Sequence, residues 1–175
     1  GVIVPLDDRG VIRIDGFDAL NFLDNIVSGD VSDMLESGGG HTALLSPQGK
    51  ILFEFFIAGS PTDLVLETGR RRIEELKRRL ALYVLRAKVR ITDVSADYTV
   101  AACWGPEAPR LEGAIVVADR RADAGSSGLN GSQPARRVLM PRSIGDKRLH
   151  ALFEGGAWRA GTPADSRAMR VDRGI

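Results

Sequence analysis

The sequence has one cysteine, Cys103, so no disulfide can close within it, and the chain fits a reducing compartment. It lacks any apolar run near the roughly 20 residues that a membrane span needs, and no membrane partner is expected. It lacks a charge surplus as well: 24 Lys and Arg stand against 23 Asp and Glu, a net charge of +1. That balance supplies no bulk attraction to nucleic acid or to an anionic bilayer, so direct nucleic-acid binding is not expected. Aromatic residues are 6% of the chain, and none flanks the basic run 70–79 as a base-stacking platform would require. The start of the chain has no basic-then-apolar-then-small pattern of a secretory signal. His41, His150 and Cys103 are too scattered to suggest a metal site. The expected location is the cytoplasm, or the mitochondrial matrix in a eukaryote.

What is present is a globular composition, 43% hydrophobic and 27% charged over 175 residues, enough for one sizeable core or two small ones. "VIRIDG" (11–16) alternates and stops at glycine, as a short strand does. The next stretch, "FDALNFLDNIVSG", places Leu20, Leu23, Ile26 and Val27 at helical spacing. Asp18 is the expected cap, Phe17 and Phe22 a hydrophobic staple, and Gly29 the stop. "SPQG" (46–49) has the proline and glycine positions of a type I turn, leading into a strand over 50–58. A further strand is predicted over 63–67. The spacing of Ile73, Leu76 and Leu80 then predicts a helix over 70–85, with Glu74→Arg78 and Glu75→Arg79 as supporting pairs. Strands follow over 88–95, 98–105 and 114–118, and a returning strand over 136–142. Residues 119–135 read as a long mobile Gly/Ser/Asn loop, and the last residues as a short helix with Pro163 near its start. Frequent hairpins among a few helices give an α+β class with mainly antiparallel sheets.

Two carboxylates stand out. In "ALLSPQGKILFEFFIAG" (43–59), Ile51, Phe53, Phe55 and Ile57 alternate with Leu52, Glu54 and Phe56. Both faces are apolar, so the strand is expected to be covered on both sides. Glu54 must then be paired, hydrogen-bonded or set in a polar cavity, because a bare buried carboxylate costs several kcal/mol. It is either a strand-end partner of an arginine or a pocket-lining acid. Glu67 ends the strand "DLVLE" and could cap the following basic helix or serve a ligand. The arginines of 70–79 are interleaved with glutamates and read as a solvated helix face. "GGG" (38–40) lacks the Gly-Lys-Ser/Thr ending of a phosphate loop. Cys103 sits in an apolar strand and reads as structural.

The succession of segments is more specific than any one of them. "RGVIRIDGFDALNFLDNIVSGDV" (9–31), "ALLSPQGKILFEFFI" (43–57), "LVLETGRRRIEELKRRLALYVLRAKVRITDVS" (64–95) and the ending "AMRVDRGI" resemble, in order and spacing, the YgfZ-type folate-binding proteins. That family includes iron–sulfur cluster maturation factors and is related to the aminomethyltransferase (T-protein) of the glycine cleavage system. The resemblance implies a folate-binding-domain fold, with antiparallel sheets and packed helices around a central channel for tetrahydrofolate or another reduced folate. It implies a folate-binding core over 1–118, with 136–175 returning to the same region. The family's Lys-Gly-Cys-Tyr motif and C-terminal barrel would lie beyond Ile175, so the chain reads as a fragment.

Position by position, the resemblance places Arg9, Leu45 and Ser46 near the channel and leaves Glu54 as an acid beside it. Glu67 falls where the T-proteins have a polar Asn, and becomes the residue expected to bind the pterin. Arg170 would be structural or meet the folate's acidic tail. The Asp-Asp pair of the T-proteins aligns with Phe53-Glu54, and the position of the catalytic aspartate holds Phe53, which cannot relay a proton. The implied function is therefore a tetrahydrofolate-binding protein that assists assembly or repair of iron–sulfur enzymes, without a catalytic residue of its own. Its partners would be a reduced folate and iron–sulfur client or assembly proteins. The alternatives are a folate-dependent aminomethyltransferase and an accessory protein in tRNA modification.

Overall fold

The computed structural model describes residues 1–123 and 134–165. In chain order the strands are β1 (Val2–Pro5), β2 (Arg9–Asp15), β3 (Gly40–Leu45), β4 (Ile51–Ser60), β5 (Asp63–Gly69), β6 (Arg90–Asp93), β7 (Tyr98–Trp104), β8 (Ile115–Ala118), β9 (Ala135–Pro141) and β10 (Arg159–Ala160). The helices are α1 (Ala19–Asp24), α2 (Val31–Glu36), α3 (Ile73–Ala81) and α4 (Arg142–Glu154). Most of the expected Gly/Ser loop and the "AMRVDRGI" ending fall outside the described residues. The chain forms two compact units, Asp8–Ala96 and Gly1–Asp7 with Asp97 onward; residues of 1–118 contribute to both.

In the unit Asp8–Ala96 the strand order is β3-β4-β5-β2-β6, with each neighbouring pair antiparallel. One face of this sheet carries Ile12, Ile14, Leu44, Phe53, Phe55, Ile57, Leu64 and Leu66. It packs with Leu23 of α1 and with Ile73, Leu76 and Leu80 of α3 in one core. The helical spacing of those three α3 residues is what turns them together toward the sheet. The helix is nevertheless shorter than predicted: a 3-10 turn over Arg70–Arg72 precedes it, and it ends at Ala81. Its ion pairs run at i,i+3, Arg72–Glu75 and Glu74–Lys77, in place of the i,i+4 pairs expected.

The start of α1 also differs from expectation. The Asp18 carboxylate makes no cap bond to its own helix; it accepts the Lys88 amide at 2.7 Å. A long-range amide has outcompeted the local one. Phe17 points outward at 81% exposure, so there is no staple. Asp30 supplies the side-chain cap instead, accepting the Asp33 amide at the start of α2.

In the other unit the order is β10-β1-β7-β9-β8, with a parallel pairing between β10 and β1. Its core gathers Ile3, Ala101, Cys103, Leu111, Val138, Met140, Leu149 and Trp158. Cys103 has no exposed surface, and its burial pushes the thiol up to about 12, which fits the structural role read from the sequence. Among the described residues no helix is long and apolar enough to cross a membrane.

Candidate functional site

The sheet of the unit Asp8–Ala96 carries Arg9, His41, Glu54 and Glu67 on the face opposite the helical core. Register fixes this. Glu67 lies opposite Phe56 of β4 on one side and Val11 of β2 on the other. Directly opposed residues share a face, so Phe56, Glu67 and Val11 point the same way, and Arg9 and Glu54, two positions along their strands, join them.

Arg9 is opposite Gly69. With no side chain across from it, the guanidinium is free to lean diagonally, and its Nε donates to Glu67 Oε1. The Glu67 carboxylate is fully buried while Arg9 keeps 24% of its side-chain surface. A buried carboxylate needs such a charged partner, because desolvation alone would cost several kcal/mol. The cap positions of the basic segment, Gly69 and Arg72, make no side-chain cap bond, and Glu67 lies on the sheet face opposite α3. Thr68, the next residue, donates to the Glu54 carbonyl at 2.9 Å and ties β5 to β4 beside the pair.

Glu54 corrects an expectation. Its side chain is 53% exposed, and it lies 3.9 Å from His41 Nε2, where burial against an arginine or in a polar cavity was expected. The cause is its surroundings: across β3 it faces the small Ala43, and on the β5 side it lies beyond the Phe56–Glu67 pair. His41 in turn meets Phe56 edge-on, ring centroids 5.1 Å apart. The face thus presents Arg9–Glu67 on one side of the Phe56 ring and Glu54–His41 on the other, with Glu54 and Glu67 as diagonal neighbours about 7–8 Å apart between Cα atoms. His41 and Phe56 were not singled out from the sequence; the alternation of β3 against β4 was the signal for them.

Leu45 and Ser46 lie at the β3–β4 turn, where Leu45 opposes Ile51, five positions along β4 from the Phe56–Glu67 pair. The Ser46 hydroxyl accepts the amides of Gln48 and Lys50, both at 3.2 Å, and the Gly49 amide closes the turn on the Ser46 carbonyl at 2.9 Å. Ser46 therefore builds the turn. Arg170 lies outside the described residues. Phe53 is on the core face and 5% exposed, with the Arg72 guanidinium 4.3 Å above its ring. Among the described residues no cluster of His, Cys, Asp and Glu could hold a metal ion.

The groups gathered on this face are a buried carboxylate, its guanidinium partner and two rings. A carboxylate fixed by a guanidinium accepts paired N–H donors of the kind a 2-amino heterocycle offers. Phe56, itself buried, and the His41 ring pack beside it. Arg9, only partly buried, adds a cation for an anionic group.

No family model matches the chain. Over 115 residues it is 28% identical to the mitochondrial iron–sulfur cluster assembly factor IBA57 homolog of Mycosarcoma maydis, covering 58% of this chain and 28% of that protein. The corresponding IBA57 homolog of Aspergillus oryzae is 30% identical over 115 residues, covering 57% of this chain and 26% of its own length. The chain thus spans about a quarter of the length of the curated relatives it matches. Among solved structures, the glycine cleavage system aminomethyltransferase T from Bartonella henselae superposes with a TM-score of 0.67 at 13% identity, over 91% of this chain and 47% of that one. Heterotetrameric sarcosine oxidase from Corynebacterium sp. U-96 gives 0.51 at 15% identity, over 87% and 81% of the two chains. The resemblance read from the segment order therefore stands: the chain is a homologue of IBA57-type iron–sulfur cluster assembly factors and has the fold of part of the aminomethyltransferase T-protein.

Proposed function

We propose that this chain is the reduced-folate-binding part of a protein that assists assembly or repair of iron–sulfur enzymes, and that it performs no group transfer itself. The observation that carries this reading is the fully buried Glu67 carboxylate held by Arg9 on the sheet face opposite the helical core, in a T-protein-like fold. Glu67 accepts the amino group and ring N–H of the pterin, Arg9 fixes the carboxylate, and Phe56 and His41 flank the ring. Glu54 stands at the same face, Leu45 and Ser46 shape the nearby turn, and Arg170 is either structural or a partner of the acidic tail. The aminomethyl-transfer alternative has less support, because Phe53 holds the position of the expected acid and its ring is packed in the core.

The role in iron–sulfur assembly rests on the names of the relatives, and the partners would be assembly or client proteins of that pathway. Their mitochondrial designation supports the matrix if the source is eukaryotic; in a bacterial source the chain would work in the cytoplasm.

Isothermal titration with 5-formyltetrahydrofolate tests the reading, with Glu67→Gln alongside and circular dichroism confirming its fold. Saturable binding, weakened at least about tenfold in the variant, is expected for loss of a charge-assisted pair of hydrogen bonds. Absence of binding by the unaltered protein, or equal binding by a folded variant, overturns it.

A further inference from the structure

A second concave site lies on the other side of the same unit. A groove of about 550 Å³ opens between the start of β4 and α3, lined by Leu52, Phe53, Glu75, Arg78, Arg79 and Leu82. That volume is within the range of small-molecule sites, about 300–1,000 Å³. Its floor is apolar, with Phe53 buried, while Leu82 at the rim is 67% exposed. An apolar floor under charged walls is the usual lining of a small-molecule site.

The charges of the groove separate into a satisfied pair and two unsatisfied cations. Arg72 pairs with Glu75 at 3.2 Å and donates to the Leu52 carbonyl at 3.0 Å, which leaves no surplus charge there. Arg78 donates its Nε to the Glu74 carbonyl at 3.3 Å, and among the described residues it has no carboxylate partner. Arg79 has its guanidinium 6.0 Å from the Tyr83 ring, and its buried Nε has no hydrogen-bond partner. A buried guanidinium nitrogen without an acceptor costs free energy, and an anion in the groove would meet two guanidinium groups that have no carboxylate partner among the described residues.

We infer that the groove between β4 and α3 binds a small amphipathic organic anion. Its apolar body lies on Leu52, Phe53 and Leu82, and its carboxylate, phosphate or sulfonate group is held by Arg78 and Arg79. The site is separate from the Arg9–Glu67 face, because Phe53 and Glu67 point to opposite sides of the sheet. It is equally independent of the folate reading.

The test uses 8-anilinonaphthalene-1-sulfonate as the probe, titrated by fluorescence into the whole protein, with neutral N-phenyl-1-naphthylamine for comparison. One saturable site per chain is expected, weakened about tenfold by Arg79→Gln and further by Leu82→Glu, with both variants matching the parent in thermal melting. The neutral probe should bind less tightly and be indifferent to Arg79→Gln. Unsaturable or multiple-site binding, or equal binding by Arg79→Gln, overturns the inference. So does a protein whose groove is covered by a second copy, recognised by probe binding that appears only as a dimer dissociates in dilution. Adding 5-formyltetrahydrofolate separates the two sites. Displacement of the probe by folate, together with loss of folate binding in Arg79→Gln, would merge them and overturn the inference, whereas absence of folate binding leaves the probe result standing.

Discussion

Arg9 and Glu67 are diagonal neighbours on β2 and β5, and the partly exposed guanidinium of one is the charged partner of the wholly buried carboxylate of the other. Gly69 makes this possible by leaving the position opposite Arg9 without a side chain. The pair is thus both a structural element and the proposed ligand anchor.

Arg9→Ala should destabilise the protein by about 3–5 kcal/mol, since it strands a charge in the interior. Replacing both residues, as Arg9→Met with Glu67→Leu, should recover most of that loss while abolishing folate binding. Urea denaturation of the two variants and the parent gives the comparison. A near-neutral Arg9→Ala would mean that the pair contributes little.

Cys103 should not react with a thiol reagent in the folded protein, because its pKa of about 12 keeps the sulfur protonated and its burial keeps the reagent out. The folded pKa is raised above the 9.0 of a free thiol, so the unfolded state loses its proton first. The contribution of Cys103 to stability is present below about pH 9 and declines as pH climbs from there toward 12. Labelling kinetics in increasing urea should follow global unfolding; fast labelling in buffer would contradict this.

Asp15 is held below the ordinary carboxylate range, chiefly by the side-chain hydrogen bond from Arg90, whose Nη2 lies 2.7 Å from the carboxylate. The stabilisation from this pair is present above the unfolded carboxylate pKa and is lost as pH falls through the lowered folded value. Carboxyl NMR titration of Arg90→Gln should show Asp15 titrating at higher pH than in the parent. An unchanged midpoint would remove Arg90 as the cause.

Gly59→Ala should be strongly destabilising. Gly59 has φ +126°, and an added Cβ would meet the Asp63 carbonyl oxygen at 2.2 Å, a backbone atom that cannot step aside without opening the β4–β5 hairpin. Leu76→Ala, which empties part of the core under α3, should cost about 2–5 kcal/mol. Thermal melts of both variants give the check: Leu76→Ala should leave a cooperative transition, while Gly59→Ala should broaden or lose it.

The sequence made the sheet of the unit Asp8–Ala96 legible because its strands are short apolar runs and its turn residues, Pro47 and Gly49, sit where the backbone needs them. The apolar face of α3 was equally plain. Helix α4 was not, because Gly145 interrupts its interior and Pro141 at its start offers no side-chain cap. Short β1 and β10 have too few residues to show a period. At the site, alternation gave the side of the sheet on which Glu54 lies but not its exposure, which depends on Ala43 one strand away. Glu67 was legible as a candidate and its partner only as a neighbour of the channel. Their pairing across some 58 residues of chain depends on strand register, which local patterns do not specify.

The continuous unit Asp8–Ala96 interrupts the other one, and this has a consequence for how the chain is made. β1 emerges from the ribosome before that whole segment, yet its antiparallel partner is β7, with Val2 opposite Trp104. The inserted unit has every one of its own strand partners within it, so it can complete its sheet while β1 is still waiting. A long closure of this kind is slow. For that interval β1 is a short apolar strand with unfilled backbone bonds, and the nascent chain is most exposed there to mispairing and to chaperone capture.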